Sequence, residues 1–119
     1  MKKIALEEHF SGPGFGKYMN VMKGLFEGEI LASMEELLSD FDEQRLKAMD
    51  EAGIEVSVLS QTAPGLQAEG DVVAAVQSAR RCNDFLFEQI QRHPSRYRGF
   101  ACLPMQDPVA AANELERCV

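Results

Sequence analysis

The stretch LEEHFS, Leu6 to Ser11, places two carboxylates and an imidazole at the end of an apolar run. In an extended strand residues two apart face the same way, so Glu7 and His9 point to one side and Glu8 to the other. A carboxylate oxygen and an imidazole nitrogen about 7 Å apart at Cα by strand rise can converge on a divalent metal such as zinc or manganese. Two ligands do not complete such a site, because a catalytic zinc takes about three protein ligands plus water or substrate. The others must come from elsewhere in the fold. On spacing alone Glu-x-His arises commonly by chance, and a solvated strand end is the plainer reading.

The elements that must position this pair follow from periodicity. KKIALEEHF reads as a first strand, with Ile4 and Leu6 alternating with their neighbours. SGPGFG then breaks regular structure. Residues 17 to 38 carry Met, Leu and Phe at mixed spacings interrupted by Gly24 and Gly28, which predicts short helical pieces; residues 11 to 40 read as a loop and helical segment inserted after the first strand. Asp40 or Asp42 can cap the next helix, in which Leu46, Met49 and Ala52 share a face and Gly53 supplies the stop. Ile54 to Ser60 is a strand that runs into the turn-forming QTAPG. A second helix from Asp71 to Arg92 shows a stripe of Val72, Val76, Ala79, Leu86 and Ile90, with Asn83 as a polar intruder expected to bind a backbone or loop group. His93-Pro94 ends it, with His93 expected at the surface. Tyr97 to Pro104 reads as a third strand, and Asp107 and Pro108 open a third helix.

Strand, helix, strand, helix, strand, helix is the order of parallel βαβ units, an α/β fold. Ligand sites of such folds lie at the C-terminal ends of the strands, here EEHFSGPG, SQTAPG and PMQDP. In the second of these, Thr62, Ala63 and Pro64 are candidates to line a substrate pocket, although a tight turn explains them as well.

Composition excludes several classes. The formal charge of −7 opposes a nucleic-acid partner, which normally meets a basic face. No stretch approaches the roughly 20 apolar residues that cross a bilayer, and Met1-Lys2-Lys3 is not followed by the apolar run of a signal peptide, so a cytoplasmic protein without membrane contact is expected. Cys82, Cys102 and Cys118 are widely spaced and form no C-x-x-C pair, so three buried thiols are expected instead of a disulfide framework or thiolate zinc site. The arginines and Asp84 of ARRCND are expected in surface or inter-helix ion pairs. Met19, Met22, Met34 and Met49 read as core filling.

An ordered series of segments, KIALEEHF, RLKAMDEAGIEVSVLSQTAPGLQ, ARRCNDFLFEQIQRHPSRYRGFACLPMQDP and AANELERCV, resembles the amidohydrolase-related metal-dependent decarboxylases. Within that family the chain is most similar to the γ-resorcylate and 2,3-dihydroxybenzoate decarboxylases. The resemblance is to their N-terminal third and is poor only from about residue 12 to residue 38.

The resemblance implies the N-terminal (βα)3 portion of a TIM (β/α)8 barrel, so that residues 1 to 119 are a single partial domain. It implies non-oxidative decarboxylation of phenolic, hydroxybenzoate-type acids with a divalent metal, zinc or manganese, and no organic cofactor. Glu7 matches the family's first metal ligand and His9 its second, whereas Glu8 matches none. The metal would hold the substrate carboxylate and the adjacent phenolate oxygen, and an aspartate of the last strand would protonate the ring carbon. That aspartate and the remaining metal and substrate histidines match positions beyond residue 119. The 119-residue chain alone is therefore expected to be inactive, and ELERCV, stopping inside a helix without a terminating signal, favours a piece of a longer enzyme. The alternatives are a metal-dependent hydrolase of the same superfamily, against which Glu7 in place of the usual first histidine argues, and a non-catalytic assembly fragment. Uncovered edges and an uncovered sheet face also lead to an expected homo-oligomer.

Overall fold

The structure is a computed structural model that describes residues 1–119, with the side chain of Val21 outside the described set. Strands β1 (Lys3–Phe10), β2 (Ile54–Gln61) and β3 (Tyr97–Gly99) form one parallel sheet in the order β1-β2-β3. Among the described residues each outer strand pairs on one side only. Among the described residues the sheet is joined by five α-helices, α1 (Gly16–Met19), α2 (Gly28–Ser39), α3 (Gln44–Ala52), α4 (Val72–Arg92) and α5 (Pro108–Cys118), and two short 3-10 helices at Asn20–Met22 and Gly65–Ala68.

The core lies between the sheet and its helices. Phe10 at the end of β1 is 1% exposed and packs against Phe41 and Phe85, while Phe41 meets Tyr97 edge-on. The Tyr97 hydroxyl donates to the Phe41 carbonyl at 2.6 Å, so this aromatic group carries no unpaired polar atom. It fixes the C-terminal end of β1 against the helix layer.

Small residues decide how α4 meets the sheet. Ala75, Ala79 and Cys82 are fully buried with Leu86 beneath β3, whereas Val72, assigned to the stripe by spacing, is exposed in the first turn after its Asp71 cap. The close approach is tightest at Gly99, where an added Cβ would overlap Leu86 Cδ2 and stand 3.1 Å from Leu86 Cγ. Gly99→Ala is expected to cost about 1–3 kcal/mol through overpacking, read as a lower urea midpoint.

Several expectations need correction. Residues 17 to 38 do not form only short pieces, because α2 runs unbroken for 12 residues with Gly28 at its start. β3 stops at Gly99 and not at Pro104: Phe100 N still donates to Leu59 O, but the Cys102 backbone then turns to the Asn83 side chain. Of the cysteines only Cys82 is buried; Cys102 is half-buried and Cys118 exposed. His93 is not a free surface residue, since its Nε2 lies 2.6 Å from Asp42 Oδ1 and its ring meets Tyr97 edge-on. Asp42 is available to it because Asp40 does the capping, accepting from the backbone of Glu43 at 3.1 Å and of Arg45 at 2.7 Å. Gly53 ends α3 in the left-handed region, with φ of 67°.

Asn83 and Glu114 join α4, α5 and the chain after β3. Asn83 Nδ2 donates to Cys102 O at 3.0 Å and to Glu114 Oε1 at 2.8 Å, and its Oδ1 accepts from Cys102 N at 2.7 Å. Arg117 grips the buried Glu114 carboxylate with Nε at 2.8 Å and Nη2 at 2.7 Å, Arg80 approaches at 3.5 Å, and Arg117 also reaches Asp84 at 2.7 Å. The Arg117 guanidinium, helped by the Asn83 amide and Arg80, holds the Glu114 carboxyl at about 2 against the opposing effect of burial. A carboxyl whose folded value lies below its ordinary 4.5 stabilises the fold above that ordinary value, and this contribution falls away as pH drops towards 2. Urea midpoints are therefore expected to decline between about pH 5 and about pH 2, with a shallower decline in Glu114→Gln.

Candidate metal centre

The path of β1 determines what its polar end presents. Ala5 pairs with Ser57 and Glu8 with Leu59, so three steps along β1 match two along β2 and a bulge falls at Leu6–Glu7. The bulge shifts the alternation by one. Before it, Ile4 and Leu6 face away from the helices, being 61% and 68% exposed. After it, Glu8 and Phe10 lie on the helix-covered side with their neighbours Leu59 and Gln61, which leaves Glu7 and His9 on the uncovered side. Without the bulge, the even-numbered apolar residues would share a face with Glu8.

Three interactions hold the His9 end of the strand. Arg45 Nη2 donates to His9 O at 2.8 Å and to Leu37 O at 3.3 Å, and Arg45 Nε donates to Asp40 O at 2.8 Å. One guanidinium thus ties β1 to the ends of α2 and α3. Burial pushes the Arg45 guanidinium below its ordinary value, with nearby Tyr97, Glu8 and Asp40 acting the other way. Ser60, the partner of His9 in the ladder, places its Oγ 3.1 Å from His9 Nδ1. Gln61 fixes the loop after β1 by accepting from Gly12 N at 2.8 Å.

The donor set suits a divalent cation: one carboxylate and one imidazole share a face, and Nε2 of the imidazole is not the atom engaged by Ser60. Among the described residues no group of three or more His, Cys, Asp or Glu side chains could hold a metal ion together. An open recess of about 330 Å³ lies beside it, lined by Glu7, Glu8, His9, Leu37, Gln44 and Arg45 among others.

Thr62, Ala63 and Pro64 stand at the end of β2, where Thr62 N donates to Phe10 O at 2.9 Å and so links the first two strand ends. The open cleft of about 280 Å³ nearby is lined instead by Ser60, Gln61, Gln67, Phe100, Leu103 and Met105 among others. Sequence reasoning passed over Ser60 and Arg45. Ser60 could have been found from its even spacing with Val56 and Val58 at the C-terminal end of β2; Arg45 had no such signal, because its role is to reach backbone carbonyls distant in sequence.

A parallel βα sheet with a carboxylate and an imidazole at the C-terminal end of its first strand carries them where barrel enzymes build their sites. A family model described as amidohydrolase matches residues 16–119, and the chain belongs to that family. The γ-resorcylate decarboxylase of Polaromonas sp. is 47% identical over 117 residues, 98% of this chain and 35% of its own length. A crystal structure of a dihydroxybenzoic acid decarboxylase from Polaromonas sp., with bound manganese and the inhibitor 2-nitroresorcinol, superposes with a TM-score of 0.89 at 47% identity, covering 99% of this chain and 35% of that one. A 2,6-dihydroxybenzoate decarboxylase complexed with 2,6-dihydroxybenzoate gives a TM-score of 0.91 at 43% identity, covering 100% of this chain and 36% of that one. The chain accordingly spans about a third of the length of the relatives it matches, and its fold is the (βα)3 portion of their TIM-type barrel. No helix among the described residues is long and apolar enough to cross a membrane.

Proposed function

We propose that the family-length protein is a metal-dependent, non-oxidative decarboxylase of hydroxybenzoate-type acids, a carbon–carbon lyase, to which this chain contributes two metal ligands, Glu7 and His9. The observation that carries the reading is their placement together on the uncovered side of β1, in a chain 47% identical to a γ-resorcylate decarboxylase. A divalent cation there, manganese or zinc, would orient the acid and offset its negative charge. Glu7 supplies an anionic oxygen to hold it and His9 a neutral nitrogen. Arg45 keeps the His9 backbone in place, and the β2 end, with Thr62, Ala63 and Pro64, borders the space for the aromatic acid. The proton for the ring carbon comes from residues outside this chain. In this reading residues 1–119 are one partial domain, and residues 11–40 are an insertion that flanks the site. Carbon dioxide release from 2,6-dihydroxybenzoate by the family-length protein tests it: turnover that disappears with a chelator and returns with manganese is expected, and the absence of turnover with any phenolic acid sinks it.

A second reading concerns the 119-residue chain by itself, which we infer self-associates. Ile4, Leu6, Phe100 and Met105, near the open sheet face and strand ends, are between 58% and 68% exposed, and among the described residues each outer strand pairs on one side only. Light scattering on the purified chain should give a mass above that of one copy.

A further inference from the structure

We propose that Ser60 is a positioning residue for the metal centre: it accepts a hydrogen bond from His9 Nδ1 and so holds the imidazole as the tautomer whose Nε2 lone pair is open to a divalent cation. The inference rests on the reading of Glu7 and His9 as metal ligands.

Ser60 and His9 are ladder partners in β2 and β1, and Ser60 Oγ lies 3.1 Å from His9 Nδ1. The same Oγ is 3.4 Å from the Glu8 carbonyl, to which its single hydrogen can be donated. With that hydrogen directed to Glu8 O, Oγ meets Nδ1 with a lone pair, and the hydrogen of the contact must belong to Nδ1. Neutral imidazole carries only one N–H, so Nε2 is then unprotonated. Metal-bound histidines are commonly fixed in this way, through the ring nitrogen that does not touch the metal. The backbone around His9 is tied on three sides: Phe10 is buried beside His9, Arg45 binds the His9 carbonyl at 2.8 Å, and the ladder continues through Phe10 and Gln61. A hydroxyl turned the other way, donating to Nδ1, would leave the hydrogen on Nε2 and block it.

The test uses the metal-free family-length protein, with manganese titrated and the free ion followed by electron paramagnetic resonance. Ser60→Ala is expected to weaken manganese binding about 10- to 100-fold, whereas Ser60→Thr, which keeps the hydroxyl, stays close to the parent. Nitrogen-15 spectra of labelled histidine, with the His9 signals identified by their loss in His9→Gln, should show hydrogen on Nδ1 in the parent and a shift towards Nε2–H in Ser60→Ala. If Ser60→Ala does not fold, Ser60→Cys, with a weaker acceptor of similar volume, should change both readouts in the same direction. Unchanged affinity in the variants, or a parent already protonated at Nε2, overturns the role of Ser60. A parent that binds no manganese overturns the ligand assignment itself, so the two failures are distinguishable.

Discussion

Replacing Glu7 with glutamine in the family-length enzyme is expected to lower decarboxylation of 2,6-dihydroxybenzoate by about 10³-fold or more, equivalent to about 4 kcal/mol of transition-state stabilisation. The substitution keeps the shape of the side chain and removes only its charge and one anionic oxygen, so the loss reports ligation and not packing. His9→Ala should act in the same direction and also release the cation, because it removes the imidazole nitrogen at the end of β1. Glu8→Gln serves as the internal comparison: its side chain shares the helix-covered side with Leu59, and activity close to that of the parent is expected. Steady-state kinetics with metal content measured on the same samples separates the three. Equal losses at Glu7 and Glu8 would contradict the placement of the bulge.

The largest expected effect on stability is at Asn83. Its amide satisfies both backbone groups of Cys102 and donates to one oxygen of the buried Glu114, so Asn83→Ala strands the two Cys102 groups and removes one of the bonds to Glu114 Oε1, which keeps Arg117 Nη2. Each buried group left without a partner costs about 1–3 kcal/mol, and a total near 3 kcal/mol or above is expected from the urea midpoint. Asn83→Asp should be worse at neutral pH, because it sets a second carboxylate against Glu114 and donates nothing to Cys102 O. An alanine variant as stable as the parent would mean that the link between α4, α5 and the end of β3 contributes nothing.

These two sites differ in how far the sequence announces them. The order of elements was legible because period-two and helical patterns alternate cleanly, and because Asp71, Gly53 and Asp107-Pro108 mark helix ends by local chemistry. The division of Glu7 and His9 from Glu8 was legible too, since it needs only the two-residue period of a strand. Their relation to Ile4 and Leu6 was not: a bulge at Leu6–Glu7 changes the phase, and nothing in the residue types fixes where an extra residue is inserted. Tyr97 to Pro104 has the composition of a full strand, yet the Asn83 side chain captures Cys102 and ends the ladder early. His93 looked like a helix end at the surface because its partner Asp42 is 51 residues away. Spacing alone left Glu-x-His a weak motif; the segment-by-segment resemblance to the decarboxylases gave it meaning.

We propose that Glu7 and His9 hold the metal of a decarboxylase barrel. Anomalous diffraction at the manganese edge, from crystals of the family-length protein grown with manganese, tests it most directly. One strong anomalous peak is expected within coordination distance of both a Glu7 carboxylate oxygen and His9 Nε2. A bound manganese that touches neither residue, in an enzyme that still releases carbon dioxide, would contradict it.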